Sequence, residues 1–571
     1  MKKYLALVLA VLMLVAAFAG CGKKEETKVY GTFRTYFTNP PPTVSCLATQ
    51  DTNPWTLIDL TTACLYRQVL NKEKTGWEWA TDLAAKFPEQ VDDAGYVWKY
   101  TIVKDAVWSN GDKITADDFE FTFKEHANPK MAYVSATQMT TNSYGQLKNI
   151  YEYNLGQITD WSEVGYKKLD DYSFQVEFTT PATQDDAIRA CNRALVNETV
   201  YMKGMNADGT GTLYGTDIEN FTCCGAFILT EWIPDGKYVL TRNPDYVHAD
   251  EIKLESIVYT VVPDTNAALQ LFENGELDYV SISYNQWEDY EDDPRIYEYF
   301  NDSLMYFMIN HGNPSFGNIL GNLNFRKALF HGVDRVAMSE IIGCYPATRL
   351  VRRAVMSNPA TGVPFYTLPT DYVKTGEEVF DKTLANQLLD KAYEECKQTK
   401  VDMRILYSET STHLRGCAEI LQKQYHDHFA GKLNVIMQAM PSAQAQALRK
   451  WNPDDPTGFD TALGSFLPTA NDPRQTFKFY LSSVVPPRFY WTSDELDRLF
   501  AESMELDLES DNEKVIEYCM KMEKLMLDEM VIVPVYEIPT KVLYETNVKL
   551  PADGYVIGWG FGNEYMSMTE K

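Results

Sequence analysis

Trp108-Ser109-Asn110-Gly111-Asp112-Lys113-Ile114-Thr115-Ala116-Asp117-Asp118-Phe119 runs the end of a strand, a turn and the start of a helix together without a linker. Ahead of it, residues 97–103 (VWKYTIV) carry the β-branched and aromatic content of a strand. Ser109-Asn110-Gly111-Asp112 is a turn, because Asn and Asp side chains bond nearby backbone and Gly accepts a positive φ. Thr115 is the expected N-cap: its hydroxyl can accept a first-turn N–H, and Asp117 and Asp118 lie at the favourable end of the helix dipole. Phe119, Phe121 and Phe123 follow and are aromatic enough to be buried, and Trp108 is expected to pack in the core of the junction. A strand handed directly to a helix means mixed α/β structure.

Outward from this junction the same alternation continues. Residues 57–70 read as a helix, and residues 171–178 (DYSFQVEF) as a strand with Tyr172, Phe174, Val176 and Phe178 on one face. Residues 225–240 form a strand–turn–strand unit around Pro234-Asp235-Gly236. Residues 257–262 are an apolar strand. Asp264-Thr265-Asn266 opens a helix that Asn274-Gly275 closes, and residues 277–280 are a short strand. Residues 384–395 and 496–505 are amphipathic helices, and residues 531–535 (VIVPV) a buried strand. No internal repeat or low-complexity segment interrupts the pattern.

The N-terminus sets the compartment. Lys2 and Lys3 precede a 16-residue apolar run, Tyr4 to Ala19. That is shorter than the roughly 20 residues that span a bilayer as a helix and has the form of a secretory signal. Phe18-Ala19-Gly20-Cys21 looks like the lipobox of bacterial lipoproteins, with Phe18 where Leu usually stands and Cys21 as the acylated residue. Residues 1–20 are therefore the expected signal peptide, and polar residues 21–30 the expected tether. At 571 residues the chain exceeds one core, and a net charge of −28 repels polyanions, which argues against nucleic acid and against flat adhesion to anionic lipid. Nine cysteines remain besides Cys21, scattered and odd in number, so they form no compact disulfide framework; they stay free or pair in ways the sequence leaves open.

Several segments, in order, resemble the family-5 solute-binding proteins of ABC importers, the oligopeptide-binding group. The stretch from Trp108 to Phe119 carries the most specific similarity. Gly225-Ala226-Phe227, Glu231-Trp232 and Arg242-Asn243-Pro244-Asp245-Tyr246 come next, then Asn274-Gly275-Glu276-Leu277-Asp278. Asn310, Phe325-Arg326-Lys327-Ala328-Leu329, Val333-Asp334-Arg335, Asn471-Asp472-Pro473 and Val531 to Tyr536 complete the series. The resemblance implies an α/β, periplasmic-binding-protein type II-like two-lobed clamp with an additional inserted α/β domain. Lobe I would be discontinuous (residues 31–65, 186–285 and 536–571), the inserted domain residues 66–185 and lobe II residues 286–535. Crossovers are expected near residues 282–298 and 533–537.

The same resemblance implies a role: a lipid-anchored binding protein on the extracytoplasmic face of the cell membrane, acting as a monomer without a cofactor. It would capture a peptide or peptide-sized solute and deliver it to the permease of an ABC importer. Carried over by position, Phe466 takes the place of a ligand-facing tryptophan and Thr469 that of an aspartate that receives an α-amino group. Asn471 and Asp472 close that loop, Asp59 falls in a ligand-facing segment of lobe I, and Tyr133 and Ser135 lie near a contact loop of the inserted domain. A threonine hydroxyl carries no charge, and a charge-assisted bond contributes about 1.5–3 kcal/mol against about 1 for a neutral one, so Thr469 weakens the expectation of free N-terminal recognition.

Other chemistry finds little support. His426 and His428 are the one close histidine pair, and i, i+2 residues of a helix face apart, so shared metal ligation is not expected. A Ser-His-Asp site lacks its Gly-x-Ser-x-Gly elbow. Asp292-Asp293 and Asp454-Asp455 sit beside prolines in turns, and Cys223-Cys224 read as small buried residues. Two alternatives fit secretion and acidity: a peptide-sensing receptor of the same fold, and a secreted glycoside hydrolase, which needs two catalytic carboxylates in one cleft.

Overall fold

Three large sheets and the hydrophobic cores packed on them organise the described residues. The computed structural model describes residues 31–569 except 50–51, 137–138, 140–144, 359–362, 410, 442–443, 446–447, 450–454, 467–471, 485–489 and 509. The expected signal peptide, Cys21 and the expected tether lie outside the described residues, as do Thr469 and Asn471.

The first sheet orders Thr32–Phe37, Ser256–Val261, Lys237–Arg242 and Phe227–Ile233. Thr32–Phe37 runs parallel to Ser256–Val261, although more than two hundred residues separate them, and the other pairs are antiparallel. Its alternating Phe33, Phe37, Ile257, Tyr259, Tyr238 and Leu240 fill one core. The second sheet pairs Glu89–Gln90, Val97–Thr101, Ser173–Glu177 and Tyr166–Asp170, and the helix Ala116–His126 packs on it.

The quoted junction folds as its residues dictate. The turn closes with Trp108 N–H donating to Asp112 O at 2.8 Å, and Gly111 takes φ +89°. Thr115 caps the helix, and Thr115 N–H donates to the Asp118 carboxylate at 2.8 Å, completing a capping box. Asp118 does more than favour the dipole: it is buried and accepts the Trp108 indole N–H at 3.0 Å. Trp108 is 1% exposed, a core residue. Phe119 and Phe123 are buried, with Phe121 edge-on to Tyr201.

The third sheet, of seven strands, runs Tyr279–Ile282, Ile532–Tyr544, Ile296–Ile309, Thr461–Phe466, Val401–Ser408 and Leu433–Met440, with Tyr345–Pro346 added beside Ile532–Tyr544. Alternation separates its two faces: Met305, Phe307, Ile309, Met403 and Ile405 enter one core, Leu304, Tyr306, Met308 and Leu406 the other. The 14-residue strand Ile296–Ile309 and the 13-residue strand Ile532–Tyr544 pair antiparallel, and both pass between cores. Val542 and Tyr544 pack with the first sheet, whereas Ile532, Val533 and Val535 pack in the third. The ladder slips between Phe300 and Leu304, next to Pro539, and between Met305 and Tyr306, next to Pro534. Proline lacks the N–H a regular ladder needs, so the irregularities fall where the prolines stand.

One expectation is corrected. Residues 57–70 are not one helix: a helix spans Thr52–Thr61 and a strand Tyr66–Leu70. The Thr61 and Thr62 hydroxyls each donate back to carbonyls one turn earlier, Leu57 O and Ile58 O, at 2.7 Å, and compete with continued helix. The chain then turns, and Tyr66–Leu70 pairs with Trp77–Thr81. The nine described cysteines are free thiols; Cys223 and Cys224 are buried, as expected. His426 is exposed and His428 bonds Gly332 O at 2.8 Å; among the described residues no cluster could hold a metal ion.

Candidate functional site

A cavity of about 550 Å³ lies between the first sheet's helix Thr52–Thr61, the Tyr66–Thr81 hairpin and the C-terminal segment. Trp55, Thr56 and Asp59 line it from one face of the helix, while Leu57, Ile58 and Thr61 are buried beneath. The hairpin contributes Tyr66, Arg67, Gln68 and Trp79, and Asp82 follows it. His126, Arg193 and Tyr246 add to the wall, as do Cys46, Cys64 and Trp559 to Glu564. Alternating glycines place that last segment: Gly558, Gly560 and Gly562 have φ of +74°, +80° and +64°, the left-handed region that favours glycine. They fold the segment tightly enough for Trp559 to stack on Tyr565 and to donate its indole N–H to Gln68 O at 3.0 Å.

Three carboxylates share this space under different constraints. Asp59 faces the cavity from the helix, with its side chain open to solvent. Asp82 is 5% exposed and accepts from Tyr246 Oη at 2.9 Å and Cys64 N at 3.2 Å, yet burial still raises it to about 6. Glu564 is pushed to about 7, mainly by burial, with Asp82 and Asp59 adding repulsion. Arg67 is already engaged: it forks onto Glu251 at 2.6 and 2.7 Å and donates to Tyr565 Oη at 3.0 Å. Burial and the charge of Arg193 hold His126 down at about 3, so its imidazole is neutral at ordinary pH. The wall therefore combines indole and phenol rings with carboxylate, guanidinium and amide groups, a surface for holding a solute. It presents no activated nucleophile: burial pushes the Cys46 thiol up to about 12 and the Cys64 thiol well above its ordinary value.

The residues carried over by resemblance fall in different places. Asp59 lines the cavity. Ser135 is buried behind the wall, where its hydroxyl donates to Leu47 O and meets His126 Nε2 at 3.0 Å. Tyr133 bonds Tyr201 Oη at 2.8 Å. Asp472 grips Arg474, with Nη2 to Oδ2 at 2.7 Å, and Arg474 in turn donates to Ser503 O and Leu506 O, so this pair braces its loop. Phe466 ends the strand Thr461–Phe466, directly across from Leu304 of the long strand Ile296–Ile309. The sequence reading missed Trp55, Trp79, Asp82, Trp559 and Glu564. The signal for the last two was the Gly558-x-Gly560-x-Gly562 alternation around an exposed-looking tryptophan.

The strings that carry the resemblance turn out to be fasteners. Arg335 donates to Pro534 O, Ala347 O and Phe330 O, and Arg326 to Met530 O and Glu529 O. Asn243 donates to Gly225 O at 2.9 Å, and Asp278 accepts the Arg34 fork at 2.6 and 2.9 Å.

Comparison with known proteins bears on the same region. Residues 78–485 match the bacterial extracellular solute-binding proteins, family 5, middle region. The dipeptide-binding protein DppE of Bacillus subtilis is 23% identical over 80% of this chain and 78% of its own length. The oligopeptide-binding protein OppA of the same organism is 24% identical over 85% of this chain and 84% of its own. The substrate-binding domain of an oligopeptide ABC transporter from Bacillus anthracis superposes with a TM-score of 0.68 at 21% identity, covering 96% of this chain and 100% of that one. The fold is thus the two-lobed clamp with an inserted α/β domain expected from the sequence.

Proposed function

The chain belongs to the bacterial extracellular solute-binding proteins of family 5, and on that premise we propose that it captures a peptide or peptide-sized solute and delivers it to the permease of an ABC importer. The observation that carries the reading is the cavity of about 550 Å³, within the roughly 300–1,000 Å³ of small-molecule sites, lined by aromatic rings together with charged and polar side chains. The names of the relatives, dipeptide- and oligopeptide-binding, support a peptide as the class of ligand. Family membership sets the chain among binding proteins rather than hydrolases.

Lobe I, in this reading, comprises residues 31–65, 186–285 and 536–571, the inserted domain residues 66–185, and lobe II residues 286–535. Ile296–Ile309 and Ile532–Tyr544 are the crossovers. Their shared irregularity at Phe300 and Pro539 supplies a place to flex, and closure brings lobe II over the cavity. Phe466, Thr469, Asn471 and Asp472 belong to the lobe II side of the ligand, Asp59 to the lobe I side, with Tyr133 and Ser135 supporting the inserted-domain wall. Cys21 anchors the protein by lipid to the extracytoplasmic face of the membrane; among the described residues no helix is long and apolar enough to cross one. The protein works as a monomer.

Thermal unfolding with a panel of di- to hexapeptides tests capture: one or more peptides should raise the melting temperature in a saturable way. A panel that leaves it unchanged would overturn the reading. Peptide uptake by cells lacking the gene separates delivery from sensing, since a receptor that only senses leaves uptake intact.

A further inference from the structure

We propose that Tyr284 and Tyr345 form a latch across the hinge that holds the two lobes apart, so that closure on a ligand must release it and the latch sets affinity from outside the ligand site. This rests on the two-lobed capture reading and adds what opposes closure.

The strand Ile532–Tyr544 carries two short partners on the edge away from Ile296–Ile309. Tyr279–Ile282 pairs with its residues 541–544 from the lobe I side, and Tyr345–Pro346 with its residues 536–537 from lobe II. Residues 538–540, Pro539 among them, lie between these partners and beside the register slip from Phe300 to Leu304. Two tyrosines bridge the gap. Tyr284, just past Ile282, donates its hydroxyl to Glu340 O at 3.1 Å, in the last turn of the helix Arg335–Ile342. Its ring lies against Gly343, which caps that helix at φ +61°, and a Cβ there would overlap the ring. Tyr345 reaches the opposite way and donates its hydroxyl to Glu298 Oε1 at 3.1 Å.

Both bridges are rooted at each end. Ser283 and Gln286 close a capping box on the turn that carries Tyr284, and Gln286 Nε2 donates to Asn266 Oδ1 at 2.9 Å, on the helix Thr265–Glu273. Trp287 meets the Tyr284 ring edge-on at 5.2 Å, and Lys541 Nζ lies 4.5 Å over the Trp287 ring. Lys541 also pairs with Glu298 at 3.2 Å, directly across the ladder. On the lobe II side, Arg335 ties the helix to Pro534 O and Ala347 O, and the Tyr345 ring stands edge-on to Phe300 at 5.2 Å.

A bend at residues 538–540 swings Glu340, Gly343 and Tyr345 as one piece against Tyr284 and Glu298. Hydrogen bonds weaken steeply outside a narrow range of length and angle, and a ring seated on a glycine has no slack, so a changed lobe angle releases the latch. The cavity wall is drawn from lobe I and the inserted domain, as it stands before lobe II closes over it. The latch therefore belongs to the open form. A ligand that selects the closed form binds more weakly in proportion to how little of the protein is closed beforehand.

Two measurements on purified Tyr284→Ala, altered at a side chain 39% exposed, test this. Titration calorimetry uses whichever di- to hexapeptide of the panel binds wild type most tightly, and the variant should bind it roughly three- to tenfold more tightly, the worth of about one net hydrogen bond. Tyr345→Phe, which loses only the hydroxyl, is the second variant and should shift affinity the same way. Hydrogen exchange of the unliganded protein should quicken in the crossover segments 296–304 and 535–542 of Tyr284→Ala and stay unchanged in the cores of the lobes. Affinity that is unchanged or weaker in both variants would overturn the inference and leave peptide capture standing. If no peptide of the panel binds wild type, the capture reading falls, and unchanged exchange at the crossovers would overturn the latch separately.

Discussion

Glu523 should be the most damaging single position in lobe II to neutralise. Its carboxylate is 0% exposed and that of its partner guanidinium, Arg349, 2%. Oε2 accepts Arg349 Nη2 at 2.7 Å and Tyr372 Oη at 2.8 Å; Oε1 accepts Leu350 N at 2.9 Å and Val351 N at 3.0 Å. Glu523→Gln keeps the shape but leaves a buried guanidinium without its counter-charge and turns one accepting atom into a donor. Breaking such a pair from one side costs about 3–5 kcal/mol. At about 2–4 °C per kcal/mol for a body of this size, the lobe II transition should fall by roughly 6–20 °C. Differential scanning calorimetry is the assay, because lobes that melt separately give separate transitions. Adding Arg349→Met should restore at least half the loss: the charge is gone, and the glutamine oxygen still serves the Leu350 and Val351 amides. A Glu523→Gln protein that melts within about 2 °C of wild type would refute the reasoning, since less than 1 kcal/mol is what an exposed pair contributes.

Three further outcomes follow from particular residues. Glu537, 1% exposed on the strand Ile532–Tyr544, is pushed to about 7 from an ordinary 4.5 by burial, against the Arg353 N–H and charge that favour its anion. A folded-state value raised in this way favours the fold below pH 4.5 and withdraws that support as pH climbs through 7. Wild type should lose about 3 kcal/mol at this group between pH 4.5 and 8, whereas Glu537→Gln should lose little, as chemical unfolding at both pH values would report. Thr115→Ala removes the cap of the helix Ala116–His126 and one half of its capping box; it should cost about 1 kcal/mol in urea unfolding, with peptide affinity unchanged. Phe466→Ala should weaken peptide binding about tenfold by calorimetry with the melting temperature within about 2 °C, if the ring is a ligand contact rather than a core residue.

The fold was legible where local chemistry and tertiary packing agree. Thr115 with Asp118, Asp264 with Gly275 and the alternation through residues 171–178 each specify an element from a few side chains, and the structure places each one. The misreading at residues 57–70 arose because apolar spacing alone does not distinguish a helix that continues from one that stops. The hydroxyls of Thr61 and Thr62 end it, and the pairing of Tyr66–Leu70 with Trp77–Thr81 is a tertiary gain that periodicity cannot register. The strings that revealed the family are mostly buried donors to backbone carbonyls, as with Arg335, Arg326 and Asn243. They identify the scaffold and say little about the guest. The cavity wall is assembled from eight separated stretches, of which only Gly225-Ala226 and Tyr246 belong to strings that carry the resemblance. Asp59 was reached through resemblance. Glu564 and Trp559 depend on a glycine alternation whose meaning becomes visible only once the C-terminal segment lies against the hairpin.

Small-angle X-ray scattering of the purified protein, titrated with a peptide that raises its melting temperature, tests the central claim most directly. Capture between two lobes predicts a radius of gyration and maximum dimension that both fall, saturating at one peptide per chain. Scattering that stays unchanged while the peptide is demonstrably bound would contradict a clamp that closes on its ligand.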